Sequence, residues 1–261
     1  RPDSFRIGGF NQTVTVLFAD IRGFTSISER EKPEKVVGLL NKYFSVMSEI
    51  IFSHGGTLDK YIGDGLMAIF GAPTVGEEDA LNAVKAAVTM QKQIAKLNEE
   101  LRAEGYDNIS IGIGLHTGEA TIGYIGSEKR SEYTAIGDTV NLASRIEGLT
   151  KRYGAKILVS ASVMDQIPDK DHYHYRVLHK VRVKGKQNFI RVVEIFDADD
   201  DNLREQKKAH NPLFEECINY ILKGDLKKAQ AGMANLMQKI PGDQVAGNIL
   251  KALEKSTAQE V

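Results

Sequence analysis

T-V-T-V-L-F-A-D, residues Thr13 to Asp20, is a β-branched, apolar run that ends on an acid. Such a run reads as a buried strand, and its last residue then sits at the strand's end. Outward from it, Pro33 to Ser53 repeats apolar residues at helical spacing, with Pro33 where a first turn tolerates it and His54-Gly55-Gly56 as the stop. T-L-D-K-Y-I-G-D-G-L-M-A-I-F-G, from Thr57 to Gly71, gives two short apolar runs joined by Gly63-Asp64-Gly65, a tight hairpin with an acidic tip. Glu77 to Arg102 predicts a long amphipathic helix. Ile109 to Ile125 and Tyr133 to Ile136 predict strands, and Asp138 is placed to cap a helix carrying Val140 to Leu149, which Gly154 ends. Lys156 to Ser160, Tyr173 to Val183 and Ile190 to Phe196 complete a β-rich second half. Strands alternating with helices imply an α/β layer.

With 261 residues, 42% of them hydrophobic, the chain is long enough for one sizeable domain plus a small one. Its 34 basic and 35 acidic residues nearly cancel, which excludes a global field suited to nucleic acid or anionic lipid, so any anion site must be local. The single cysteine, Cys217, excludes an intrachain disulfide and a cysteine-cluster zinc site; it reads as a small helix-core residue in a reducing, cytoplasmic compartment. No apolar run approaches the ~20 residues of a membrane-spanning helix, and no secretory segment opens the chain. Because the sequence starts at Arg1, an upstream sensor or anchoring part is expected.

D-A-D-D-D-N, from Asp197 to Asn202, is too charged to pack in a core and reads as a linker between residues 1–198 and a C-terminal extension, 199–261. From Asn211 to Lys255 the pattern is helical, broken at Gly224-Asp225 and Pro241-Gly242 into three helices. The first two resemble one tetratricopeptide-like hairpin with small Ala229 at the helix contact. One such unit does not bury its apolar face alone, so it should dock on the larger domain, on a dimer mate or on another partner.

Two aspartates of the larger part are candidates for chemistry, although each by itself also reads as a turn or cap residue. Asp20 at a strand end and Asp64 between two glycines suit a Mg²⁺ site, because that ion takes few carboxylates and leaves room for water and phosphate oxygens. F-A-D-I-R-G-F-T (Phe18 to Thr25) and D-K-Y-I-G-D-G (Asp59 to Gly65) resemble the two metal motifs of class III nucleotide cyclases. Y-T-A-I-G-D-T-V-N-L-A-S-R (Tyr133 to Arg145) is similar to that family's base- and ribose-binding segment. Together the three motifs, in the family's order, span Thr13 to Phe196.

The resemblance implies a ferredoxin-like βαββαβ, mostly antiparallel sheet with helices packed on it, extended by a small all-α C-terminal piece. It implies an adenylate cyclase that converts ATP to 3′,5′-cyclic AMP and pyrophosphate with two Mg²⁺ (or Mn²⁺) ions per site. Asp20, Ile21 and Asp64 would meet the metals, and Phe18, Gly23, Phe24 and Thr25 the substrate. Lys60 would approach adenine N1, which accepts a hydrogen bond where guanine N1 carries a proton. Thr134 would partner the 6-amino group, at a position where many relatives have Asp. Asn141 would orient the ribose, Arg145 would meet the developing phosphate charge, and Lys184 would bind the β- and γ-phosphates. In this family each site is shared between subunits, so a chain carrying both half-sites implies a two-fold homodimer. Guanylate cyclase, or a catalytically silent dimerisation or sensor module, is the alternative. His116 in G-L-H-T-G-E reads as a packed strand residue, and I-G-I-G-L as strand packing, because it lacks the Lys-Ser/Thr ending of a phosphate loop. Gly118, Gly123 and Gly126 read as bends or close contacts.

Overall fold

The computed structural model describes residues 9–127, 129–182 and 189–258. β1 (Phe10–Ile21) leads through a short helix, α1 (Phe24–Arg30), to α2 (Pro33–Ser53), then β2 (Thr57–Ile62), β3 (Gly65–Phe70), α3 (Asp79–Ala103) and β4 (Ile111–Ser127). β5 (Arg130–Ile136), α4 (Asp138–Tyr153), β6 (Ile157–Ser160), α5 (Ala161–Asp165), β7 (Tyr175–Arg182) and β8 (Phe189–Ile195) follow, and then α6 (Asp201–Ala209), α7 (Asn211–Lys223), α8 (Leu226–Lys239) and α9 (Gln244–Ala258).

The strands form one sheet in the order β2-β3-β1-β4-β6-β8-β7, with β5 paired to the far half of β4. Pairing is antiparallel everywhere except between β4 and β6. β2, β3, β1 and β4, with α2 and α3 as crossovers, are the expected ferredoxin-like unit.

Strand alternation decides which side chains meet which helices. Leu17, Ala19 and Ile21 of β1 enter a core with Leu66 and Phe70 of β3 and with α2 and α3. Val14 and Val16 face the other way, toward Met67, Ile122 and Ala143 of α4. Asp20 falls on this second face, so it is presented to α4. Two glycines of I-G-I-G let that helix lie flat on β4: a Cβ on Gly112 would strike the Thr150 side chain, and one on Gly114 the backbone of Glu147. Ile111 and Ile113, alternating with them, fill the opposite core.

α2 corrects the expectation that no segment has the length and apolarity of a membrane span, since its 21 residues pass on both counts. Its apolar stripe, Leu39, Tyr43, Met47 and Ile51, is buried in the core against the sheet. That packing accounts for its apolarity.

The charged stretch Asp197 to Asn202 also departs from expectation. Instead of a solvated linker it is a tied corner: Asp197 accepts from His174, Asp199 pairs with Lys207 (2.7 Å) and Lys156 (3.0 Å), and Asp200 caps α6 through the N–H of Leu203. The cations that satisfy these acids come from elsewhere in the chain. Helix α6, with Leu203 its only large apolar residue, was not expected.

The three C-terminal helices dock on the larger domain. Phe214, Cys217, Ala229, Met233, Ile240 and Ile249 share a core with Ile146 of α4, Leu158 of β6, Leu178 of β7 and Val192 of β8. Beneath them lies a buried ionic cluster. Arg176 of β7, 1% exposed, makes a two-pronged bond to Asp243 (2.7 Å each) and a bond to Glu194 of β8 (2.5 Å), with its guanidinium 3.9 Å from the Phe214 ring centre. Lys207 of α6 reaches the second oxygen of Glu194 at 2.9 Å.

Candidate active site

The acidic half of the site is built where β1 ends and the β2–β3 hairpin turns. Gly63, at φ 59°, makes the tip, and Gly65 allows the close pass, since a Cβ there would lie 3.2 Å from the carbonyl oxygen of Ile62 and 3.3 Å from that of Ala19. The N–H of Ile21 donates to Oδ2 of Asp64 at 3.1 Å, fixing that carboxylate against the end of β1. Burial pushes the Asp64 carboxyl above its ordinary range, and the charge of Asp20 adds to the rise. Gly23, at φ 65°, starts α1; Phe24 is half-buried and Thr25 exposed beside it, and Phe18, half-buried, shares the Asp20 face of β1.

Three further residues belong here that sequence reasoning did not single out. Glu147 of α4 is hydrogen-bonded to Asp20, and burial together with that contact pushes its carboxyl up to about 8. Its signal was an acid on a buried helix stripe, four residues after Ala143 and three before Thr150. Arg22 ties the same corner down by donating to the carbonyls of Thr150 (3.1 Å) and Ala155; burial lowers its pKa, and Glu147 and Asp20 oppose that. Tyr43 of α2 is fully buried with its hydroxyl unpartnered, and burial followed by the charges of Asp20 and Asp64 raises its pKa.

Among the described residues no cluster of three or more His, Cys, Asp or Glu side chains forms a closed metal cage. What the fold brings together is a pair of aspartates, the charge of one adding to the rise that burial causes at Asp64, beside a main-chain turn. That donor set fits Mg²⁺, which takes one or two carboxylates and completes its shell with phosphate oxygens and water. Ile21 has only its main-chain carbonyl to offer a cation.

The second half of the site gathers on β2 and β5. Thr134, 6% exposed, donates its hydroxyl to Oδ2 of Asp59 at 2.9 Å, and the Lys60 ammonium lies 3.5 Å from that same oxygen. Lys60 also approaches Glu132 at 3.9 Å. The structure thus brings the expected pair, Lys60 and Thr134, to a single carboxylate that sequence reasoning left without a role. On α4, Asn141 and Arg145 are both exposed one turn apart, while Leu142, Ala143 and Ile146 are buried against the sheet. Gly137, not Asp138, is the N-cap of α4, and Asp138 occupies the first turn. Lys184 lies outside the described residues. His116 is packed as expected: its Nδ1 is 2.7 Å from the Ser160 hydroxyl, and burial lowers its pKa to about 4.

Comparison with known proteins agrees with the fold. Residues 10–194 match the adenylate and guanylate cyclase catalytic domain. An adenylate cyclase of Anabaena cylindrica is 42% identical over 187 residues, which are 70% of this chain and 36% of that protein. The crystal structure of the adenylyl cyclase CyaB from P. aeruginosa superposes with a TM-score of 0.66 at 35% identity, covering 74% of this chain and 98% of that one. The guanylyl cyclase Cya2 superposes at 0.65 with 38% identity, covering 72% and 94%. The chain spans about a third of the length of the curated relatives it matches. With the matched segment covering well over half of its residues, this chain belongs to the adenylate and guanylate cyclase catalytic domain family.

Proposed function

We propose that the chain is an adenylate cyclase, working as a homodimer whose two active sites each draw on both subunits. The observation that carries this reading is the assembly of Lys60 and Thr134 on Asp59, in a chain that also holds the Asp20–Asp64 pair. The ammonium of Lys60 donates only, so it suits adenine N1.

Asp20, Asp64 and the carbonyl of Ile21 would hold the metal ions, Mg²⁺ or Mn²⁺, two to a site. The chemistry that divalent cations supply at such a centre is activation of the ribose 3′-hydroxyl and neutralisation of charge on the phosphates. The 3′-oxygen bonds to the α-phosphorus as the bond to the β-phosphate oxygen breaks, and pyrophosphate leaves. Asn141 would fix the ribose for that attack. The guanidinium fork of Arg145 would meet the charge that develops on the α-phosphate, and Lys184 the leaving pyrophosphate. Phe18, Gly23, Phe24 and Thr25 would line the phosphate and ribose approach.

Two features support sharing between subunits. Helix α4 turns Glu147 toward its own Asp20 while Asn141 and Arg145 stand exposed. On strands β1, β2, β4 and β5, Phe10, Tyr61, Ile62, Tyr124 and Ile136 leave apolar surface exposed in the single chain. We place residues 10–194 as the catalytic unit, with the C-terminal helices as a docked extension. The test is product formation from ATP and from GTP by the purified chain, with Mg²⁺ or Mn²⁺, across protein concentration. Cyclic AMP as the dominant product, with specific activity rising as dimers form, is the expected result. Dominant cyclic GMP would transfer the assignment to guanylate cyclase, and no product with either nucleotide would favour a silent module.

A further inference from the structure

Asp59 is a poor choice for the fold by itself. Its side chain is 1% exposed, and its Oδ1 finds no partner. Burying a carboxylate with unmatched lone pairs costs stability. Burial accordingly pushes its carboxyl up, while the hydrogen bond from Thr134 and the charge of Lys60 hold it down, with Glu132 adding a small upward push.

A threonine hydroxyl has one hydrogen and two lone pairs, and it rotates to suit its surroundings. At Thr134 that hydrogen is committed to Oδ2 of Asp59 at 2.9 Å. Toward a ligand the hydroxyl is left with lone pairs only. Beside it Lys60, 3.5 Å from the same Oδ2, offers only donors. The pair therefore presents one donor and one acceptor. Adenine matches them with N1 as acceptor and the 6-amino group as donor. A 6-oxopurine, with N1–H and O6, opposes both.

We infer that Asp59 sets the Thr134 half of purine specificity, beside Lys60, by locking the Thr134 hydroxyl as a hydrogen-bond acceptor. It is a positioning residue, since its side chain is out of reach of solvent and acts through Thr134. Without it the hydroxyl is free to turn and donate to O6, so threonine alone discriminates weakly. The inference rests on the adenine reading proposed above.

The test uses the full chain and two substrates that differ only at ring positions 1 and 6, ATP and inosine triphosphate. kcat/KM is measured for wild type, Asp59→Leu, Thr134→Val and the double variant. Wild type should prefer ATP; if it does not, the adenine reading itself fails before any variant is compared. Given that preference, Asp59→Leu should lower the ATP to inosine triphosphate ratio about five- to tenfold, the worth of one hydrogen bond made or opposed. In the Thr134→Val background the same substitution should leave the ratio unmoved. An unchanged ratio in the single variant overturns the inference, as does a change that persists without the hydroxyl, which would mean action through Lys60. Should Asp59→Leu fail to fold by circular dichroism, Thr134→Val decides alone. A selective loss with ATP supports an acceptor hydroxyl, and an equal loss with both substrates overturns it.

Discussion

The main-chain N–H of Ile21 donates to the Asp64 carboxylate at 3.1 Å, although 43 residues separate them in sequence. One bond thus joins the end of β1 to the tip of the β2–β3 hairpin and sets the two proposed metal-binding motifs side by side. Because Asp64 is raised by burial and by Asp20, the site holds two like charges against its own stability. Asp64→Asn should therefore lower cyclase activity about 1,000-fold or more, as loss of several kcal/mol of metal assistance requires. In chelator its melting temperature should equal or exceed that of wild type. A clear drop in stability would mean that Asp64 serves the fold, not the chemistry.

The close seat of α4 on β4 gives a second expectation. Gly114→Ala places a methyl group against the Glu147 backbone, where only helix displacement relieves it. Overpacking of this kind costs about 1–3 kcal/mol. Asn141 and Arg145 ride on the displaced helix, so kcat should fall even at temperatures where circular dichroism shows the chain folded. Full activity in this variant would contradict the placement of α4.

Buried and exposed ion pairs should differ sharply. Asp243 is buried against Arg176; burial opposes its charge, and the two-pronged bond outweighs that and holds the carboxyl below its ordinary range. Asp243→Ala leaves the Arg176 charge without that partner and should cost about 3–5 kcal/mol in urea unfolding. Arg30 and Asp107 pair on the surface, with both side chains more than half exposed, and Asp107→Ala should cost about 1 kcal/mol or less. Similar losses for the two would refute the role of the buried cluster in fastening the C-terminal helices.

His116 supplies the pH dependence. Burial depresses its pKa from 6.5 to about 4, so the folded chain binds fewer protons there than the unfolded one. Its contribution is fully present above pH 6.5 and is lost as the pH falls through about 4. Wild type should lose stability across that window, and His116→Leu should show a shallower slope by thermal melts between pH 7 and 4. Identical slopes would place the acid sensitivity elsewhere.

Much of this was legible in the sequence where local chemistry decides. Gly63-Asp64-Gly65 announces its hairpin, I-G-I-G-L reads as a packed strand, the order of strands and helices implies an α/β layer, and the three motifs, through their resemblance to a known family, imply the ferredoxin-like unit. What stayed hidden depends on which distant groups meet. Glu147 and Asp59 are unremarkable acids until α4 crosses Asp20 and β5 brings Thr134 to β2. The acids at Asp197 to Asn202 look solvated because their cations, Lys156 and Lys207, come from a strand start and a helix on either side. The docking surface of the last three helices is a matter of tertiary shape, which apolar periodicity does not encode.

The proposed sharing of active sites between subunits has its most direct test in complementation. On the proposed assignment Asp64→Asn would disable the metal half and Arg145→Ala the nucleotide half, so each variant alone should be inactive as a homodimer. Mixed in equal amounts and allowed to exchange subunits, half the dimers are mixed, and each carries one intact site of two, which predicts about a quarter of wild-type cyclic AMP production. A mixture no more active than its separate parts, with subunit exchange demonstrated, would contradict sites built from two chains.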